Sequence, residues 1–262
     1  MTNHWPLTGP RSMPNAADAI ILCGGAGLRL KSVTGRAPKS LAYIGKRPFL
    51  AILLGQLRRQ GFDKVILAVG YQKDLLWSHF GDQANGMKIC YSVESAALGT
   101  GGALRNALDL MESNAALIMN GDSYTDADLR SFLVDYQNSS ADVSVLVVPA
   151  DGRTDCGLVS VGSDKTVLRF DEKQSALGNQ YVNAGIYMAS QRILSEIPAG
   201  IPVSLEAALF PRWLREGKHL RAVHHPGQCI DIGTPERYRS AQVTLASAEA
   251  AASVPVLEPR RV

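Results

Sequence analysis

Apolar runs of strand length recur through the first 150 residues, each followed by a stretch with helical spacing, and this alternation restricts the fold more than any other feature. The runs are AIILC at 19–23, VILAV at 65–69, KICYSV at 88–93, ALIM at 116–119 and DVSVLVV at 142–148. Between the first two, Phe49, Leu50, Leu53, Leu54 and Leu57 fall at i, i+3/i+4 spacing, and Gly61 stands where that helix should end. Leu129, Phe132, Leu133 and Tyr136 build a second apolar helix face. Strand, helix, strand in repeated order means strands that run mostly parallel, with helices on both faces of the sheet. The expectation is an α/β fold of three layers.

Past residue 150 the pattern loosens. Strands are expected at 166–171, 182–188 and 220–224, and helices near 204–217 and 235–250. Thr234 followed by Pro235 reads as an N-cap with proline in the first helical turn. No internal repeat is visible. The chain should form one domain over about 18–246, its later part (about 151–233) a lobe on the same sheet, between a loose leader at 1–17 and a tail at 247–262.

Bulk composition closes off several functions. A formal charge of +3 without basic runs argues against nucleic acid or a membrane surface as partner. No apolar run approaches the roughly 18 residues that span a bilayer, and the N-terminus lacks a basic start followed by an apolar stretch. Cys23, Cys90, Cys156 and Cys229 lie far apart without a CxxC pair, so they read as buried small hydrophobes in a reducing compartment. A cytoplasmic enzyme is the default expectation.

The first apolar run empties into glycines: IILCGGAGLRLKSVTGRAPKSL covers 20–41. A dinucleotide loop wants GxGxxG, but Leu30 stands where the third glycine should be. A P-loop wants GxxxxGK[ST], but Gly45-Lys46 is followed by Arg47. What remains is G-G-x-G-x-R, then a Pro-Lys. Gly24, Gly25 and Gly27 let backbone N–H groups approach an anion closely. Two added cations, Arg29 and Lys39, suit a triphosphate whose charge must be balanced while a bond breaks. Pro38 would fix the backbone that presents Lys39.

Two carboxylates follow apolar runs. ALIMNGD ends in Asn120-Gly121-Asp122, which would project Asp122 beyond the carboxyl end of a strand, where open parallel sheets bind ligands. A hard Mg²⁺ takes one or two carboxylates and fills its other positions with water and phosphate oxygens. Asp126 and Asp128 sit where a helix begins and should favour its N-terminus. CIDIGTPERY offers Asp231, again before a glycine and a helix start. SVESAALGTGGAL places Gly99, Gly101 and Gly102 at a helix start where a nucleobase or sugar could lie against the backbone. Guanine presents N1–H and the 2-amino group side by side, and Glu94 could accept from both; a ribose hydroxyl is its other possible partner. His224 and His225 point to opposite faces of a strand, which makes them poor joint metal ligands.

LCGGAGLRL followed by APKSL resembles the signature of the sugar-1-phosphate nucleotidyltransferases, usually LxGGxGTRL and then PK, with Leu28 in place of the threonine. The likeness runs from about Ala19 to Gln242 and implies a Rossmann-like αβα sandwich with a nucleotide-binding part at about 18–150 and a sugar-binding part at about 151–233. It also implies that Leu22, Gly24, Gly25, Gly27, Arg29, Lys39, Glu94, Gly99, Thr100 and Asp122 line a nucleoside triphosphate, and that Asp122 and Asp231 hold Mg²⁺. RFDEKQ and YVNAGIYM would meet the sugar phosphate through Glu172, Lys173 and Asn183, with Gly121 beside them; Gln174 stands where the family often has proline. Arg29, Lys39 and Lys173 are the expected catalytic cations.

Within the family, FDKVILAVGYQKDLLWSHFGD, LGTGGAL and CIDIGTPERY most resemble the bacterial heptose-1-phosphate guanylyltransferases, which serve surface polysaccharides. Mannose-1-phosphate guanylyltransferases and short uridylyltransferases acting on amino sugars are the neighbouring possibilities. Outside the class stand a regulatory subunit that binds a nucleotide sugar without turnover and a dinucleotide-dependent oxidoreductase. A homodimer is a further expectation, with Trp77 and Trp213 as candidate contact residues.

Overall fold

A computed structural model describes residues 17–25, 30, 35, 37–70, 73–84, 86–150, 157–171 and 180–251. In chain order the strands are β1 (Asp18–Leu22), β2 (Tyr43–Ile44), β3 (Arg47–Pro48), β4 (Lys64–Val69), β5 (Gln83–Ala84), β6 (Met87–Val93) and β7 (Ala115–Asn120). They continue with β8 (Ser123–Tyr124), β9 (Val143–Pro149), β10 (Leu158–Val161), β11 (Val167–Asp171), β12 (Gln180–Ser190), β13 (Leu220–His224) and β14 (Ile230–Asp231). The α-helices are α1 (Phe49–Arg59), α2 (Lys73–Phe80), α3 (Gly99–Ala107), α4 (Leu129–Gln137), α5 (Gln191–Ser195), α6 (Phe210–Arg215) and α7 (Pro235–Ala251).

One sheet runs through the molecule in the order β11-β10-β12-β7-β1-β4-β6-β5, with β9 beside β12 and β13 beside β9. β7, β1, β4 and β6 form the parallel block that the alternation predicts. In the second half the sheet turns mixed: β12 pairs antiparallel with β7, β9 and β10. The register of β12 against β9 shifts between Asn183 and Tyr187, where Gly185 has φ +70°. That bulge lets one strand pair with β7 through its end and with β10 through its start.

Burial follows from the pattern. Ala19, Ile20 and Ile21 of β1 are all 0% exposed, as a strand covered on both faces requires. Ala19 and Ile21 join a cluster with Phe49, Leu53 and Leu57 of α1, Phe132 of α4 and Ala241 of α7. Ile20 faces the other side, with Leu104 of α3, Ile193 of α5 and Phe210 of α6. Helix α1 ends at Gly61, φ +85°, as the sequence predicts, and Arg58 and Arg59 in its last turn suit the helix dipole. At the opposite rim, the buried Asp18 carboxylate accepts from the backbone N–H groups of Glu112 and Ser113 at 2.7 and 2.8 Å. This ties the start of β1 to the turn before β7.

Two expectations need correction. Trp213 is 0% exposed and packs near Phe210 with ring centroids 6.0 Å apart, so it belongs to the core and not to a partner contact; Trp77 is exposed. Asp126 does not serve the helix that follows: its carboxylate meets His225 Nε2 at 2.7 Å, while Asp128 caps α4 by accepting from the N–H groups of Arg130 and Ser131 at 3.0 Å. His224 stacks edge-on against Tyr181, so the two histidines do part to opposite sides. No described helix is long and apolar enough to cross a membrane.

Candidate active site

Four parallel strands end on one rim, and each contributes the residues just past its carboxyl end. β1 runs into Cys23, Gly24 and Gly25; β4 into Gly70; β6 into Glu94; β7 into Gly121 and Asp122. They enclose a cavity of about 570 Å³, whose wall also includes Leu22, Lys39, Thr100 and Asn120. The strand ends are drawn tightly together. The Gly121 N–H donates to the Leu22 carbonyl at 3.0 Å, and a Cβ at Gly121 would lie 2.6 Å from that same oxygen. A side chain at 121 would therefore push β7 off β1. At Gly25 no described residue lies within 4 Å of the place a Cβ would take, and Gly25 lines the cavity.

Lys39 opens a short 3-10 turn (Lys39–Leu41) behind Pro38, whose φ of −56° is set by its ring. Its ammonium reaches across to the Asp122 carboxylate, 83 residues away in sequence, as a direct ion pair. The other Asp122 oxygen accepts from Ser123 Oγ at 3.2 Å. β14 pairs with β8 so that Asp231 sits opposite Ser123, and the Ile232 N–H donates to the Asp122 carbonyl at 3.0 Å. Asp122, in the turn before β8, and Asp231, on β14, are thus brought to the same ribbon from distant parts of the chain. Asp231 is held twice: Gly233 N–H closes an Asx turn on Oδ1 at 2.9 Å, and Arg237 reaches both carboxylate oxygens at 3.0 and 2.9 Å. Arg237, in the first turn of α7, is a functional candidate the sequence pattern alone does not single out, although its place in CIDIGTPERY is the signal that could have found it.

Glu94 is buried, 9% exposed, and its Oε2 accepts from the Leu98 N–H at 3.0 Å. Burial pushes its carboxyl above the ordinary range, with the Leu98 amide pulling part of the way back. Its other oxygen lies against Gly24, where a Cβ would come within 3.1 Å. Gly99 and Thr100 line the cavity as expected. The adjoining glycines have a different cause from the expected one. A Cβ at Gly101 would meet Leu209 Cδ1 at 2.4 Å and Val203 Cγ1 at 3.1 Å, and one at Gly102 would meet the Ile201 carbonyl at 2.9 Å. Their bare sides face the segment around 201–209, not a ligand. Gly99 itself has φ +69°, and its Cβ would fall 2.6 Å from the Val203 carbonyl. Gly99→Ala should therefore cost about 2 kcal/mol of stability, left-handed strain plus a backbone clash. Chemical denaturation would check this, and an unchanged midpoint would contradict the packing described.

Cys23 lies in the same rim, but burial first, with the Asp122 charge adding to it, pushes its thiol up to about 12, so it is no thiolate nucleophile. Asn183 lies on the sheet beyond β7, at the β12 bulge; its Oδ1 accepts from Gly185 N–H at 2.9 Å and its Nδ2 donates to the Tyr187 hydroxyl at 2.8 Å. Gly185 in turn packs on Asn120 of the cavity wall, 2.6 Å from the site of a Cβ. Gly27, Arg29, Glu172 and Lys173 lie outside the described residues. Among the described residues no group of three or more His, Cys, Asp or Glu converges as a metal cage. The donor set at Asp122 and Asp231, carboxylate oxygen only, fits a hard cation that takes one or two protein ligands.

Comparison with known proteins gives the family. The profile of the nucleotidyl transferase family matches residues 18–248. The chain is 34% identical over 229 residues to D-glycero-alpha-D-manno-heptose 1-phosphate guanylyltransferase of Aneurinibacillus thermoaerophilus, covering 87% of this chain and 98% of that one. It is 33% identical over 223 residues to mannose-1-phosphate guanylyltransferase of Mycobacterium tuberculosis, covering 84% and 62% respectively. Its fold superposes on the crystal structure of HddC from Yersinia pseudotuberculosis complexed with GMP-PN with a TM-score of 0.76 and 30% identity, over 87% of this chain and 99% of that one.

Proposed function

This chain belongs to the nucleotidyl transferase family, and on that premise we propose that it condenses GTP with D-glycero-α-D-manno-heptose 1-phosphate to give GDP-heptose and pyrophosphate. An oxygen of the sugar phosphate attacks the α-phosphorus in line. The bond from that phosphorus to the bridging oxygen breaks, and pyrophosphate leaves with the electron pair. The acceptor is already an anion, so the enzyme needs no nucleophile of its own, and the work is positioning plus neutralisation.

The residues divide that work. The backbone of Gly24 and Gly25, continuing to Gly27, receives phosphate oxygens, and Arg29 holds the triphosphate tail. Lys39 offsets charge at the α-phosphate. Lys173 brings in the sugar phosphate, while Glu172 and Asn183 orient the ring and its hydroxyls. Asp122 and Asp231 would hold Mg²⁺, which when bound supplies further positive charge to the phosphate oxygens. For Asp122 to serve, Lys39 must leave its present pairing with that carboxylate and turn to the phosphate. Nucleoside triphosphates are cytoplasmic, which supports a cytoplasmic site of action for a surface-polysaccharide precursor.

The observation that carries the nucleotide assignment is Glu94, a buried carboxylate on the rim with one oxygen spent on the Leu98 N–H and the other beside Gly24. The N1–H and 2-amino group of guanine both donate, whereas uracil offers one N–H flanked by two carbonyls that repel an anion. The full-length match to the Aneurinibacillus enzyme supports the heptose. The Mycobacterium match supports mannose 1-phosphate as the second reading. A pyrophosphate-release screen of four nucleoside triphosphates against heptose, mannose and amino-sugar 1-phosphates tests both. Highest rates with UTP would overturn the guanine assignment.

Glu94 also gives a pH prediction. Its ionised form accepts more strongly and from both guanine donors at once, and its pKa is raised, so GTP affinity should begin to fall while ordinary carboxylates are still charged. For folding the sign is reversed: burial disfavours the ionised form, so the Glu94 contribution to stability is present at low pH and lost as pH rises through the folded pKa. Calorimetric GTP titrations taken downward from about pH 7 should show this acid limb. Glu94→Gln should remove it and weaken GTP about tenfold. Identical pH profiles for the two proteins would show that Glu94 does not read the base.

A further inference from the structure

One carboxylate outside the cavity wall collects hydrogen bonds from both halves of the site. Glu206 lies in a five-residue π-helical turn, Leu205–Leu209, in SLEAALF, a stretch whose sequence period marks only a helix. Such turns are rare and are often found at functional sites. Its Oε2 accepts from Thr100 Oγ1 at 2.8 Å and from Ser204 Oγ at 3.2 Å, and its Oε1 accepts from the Tyr187 hydroxyl at 3.1 Å. Thr100 belongs to α3 and lines the nucleotide cavity. Tyr187 belongs to β12 and is 0% exposed.

These bonds fix the direction of every hydroxyl involved. The Tyr187 proton goes to Glu206, so its lone pairs face Asn183 Nδ2 at 2.8 Å. That sets the Asn183 amide with its oxygen on Gly185 N–H. The Thr100 proton likewise goes to Glu206, and its oxygen accepts from the Leu205 N–H at 2.7 Å. The two arms, Asn183–Tyr187–Glu206 and Leu205–Thr100–Glu206, share one acceptor. The backbone repeats the connection: Val203 N–H donates to the Leu98 carbonyl at 2.9 Å, and Gly101 N–H donates to Val203 at 2.9 Å. The bare sides of Gly101 and Gly102 exist to admit this segment.

We propose that Glu206 is a positioning residue that couples the nucleotide subsite to the sugar-phosphate subsite, holding Thr100 on one side and, through the buried Tyr187 hydroxyl, Asn183 on the other. This rests on the reading of Asn183 and Thr100 given under the proposed function. Tyr187 cannot touch a substrate, so Tyr187→Phe deletes one oxygen and cuts only the Asn183 arm. It should raise KM for the sugar 1-phosphate about tenfold and leave KM for GTP within about twofold. Glu206→Ala cuts both arms and should raise both constants about tenfold each.

The split between the two variants is what a merely stabilising network would not produce. Should Glu206→Ala fail to fold, the Tyr187→Phe asymmetry still decides. Equal changes in both constants for Tyr187→Phe, or no change in either, would overturn the coupling while wild-type turnover leaves the reaction intact. A wild-type protein that releases no pyrophosphate with any pair of substrates would overturn the functional reading, and the coupling with it.

Discussion

Asp122→Asn should lower kcat by roughly 10²–10³-fold, the scale of one preorganised electrostatic contact, while the thermal midpoint hardly moves. The two halves of that expectation have separate causes. Asn keeps the size of Asp and can still accept from Ser123 Oγ. The pairing it loses, with Lys39, joins part-buried side chains that line the cavity, 21% and 26% exposed, so its loss costs on the order of 1 kcal/mol, a small part of the total stability. Turnover is different. Asp122 sits where the Leu22, Gly121 and Ile232 backbones converge, on the rim that must receive two anions. Losing its full negative charge releases Lys39 and removes one of the two carboxylates fit to hold Mg²⁺. Steady-state kinetics with a Mg²⁺ titration, alongside a melting curve, separates the terms. Near-wild-type turnover would mean that the carboxylate does not organise positive charge for the reaction.

What the sequence reveals of this site depends on the length of the element that carries each residue. β1, β4 and β7 are five or six residues long and buried on both faces, so their apolar runs stand out, and the ligand-side rim follows from the parallel order. The β8–β14 ribbon has two residues per strand and no period to detect. Nothing local could show that Asp231 would arrive beside Asp122; that expectation rests on the family resemblance. The glycines of LGTGGAL were visible but their reason was not, because the atoms they make room for belong to Ile201, Val203 and Leu209, about a hundred residues on. Glu206 was hidden for a related reason. Its neighbours repeat like an ordinary amphipathic helix, and the partners that make it informative, Thr100 and Tyr187, come from two other elements.

Lys39→Met should cost kcat about as much as Asp122→Asn, roughly 10²-fold or more, and the double variant should lose little beyond the worse single one. The reasoning starts from the ion pair itself. Lys39 and Asp122 are each other's partner, so neither charge is isolated. On the proposed reading, an incoming triphosphate would compete with Asp122 for the ammonium, and a divalent cation would compete with Lys39 for the carboxylate. The two exchanges assist each other, since each partner given up is replaced by a stronger one. Pro38 and the 3-10 turn behind Lys39 keep its backbone in place while the side chain swings. In a double-mutant cycle, groups that work through one such exchange show a large coupling, and groups that act independently show losses that multiply. A double variant slower than either single one by the full product of their deficits would separate Lys39 from Asp122. It would leave the pair as a contact with no part in assembling the charged site.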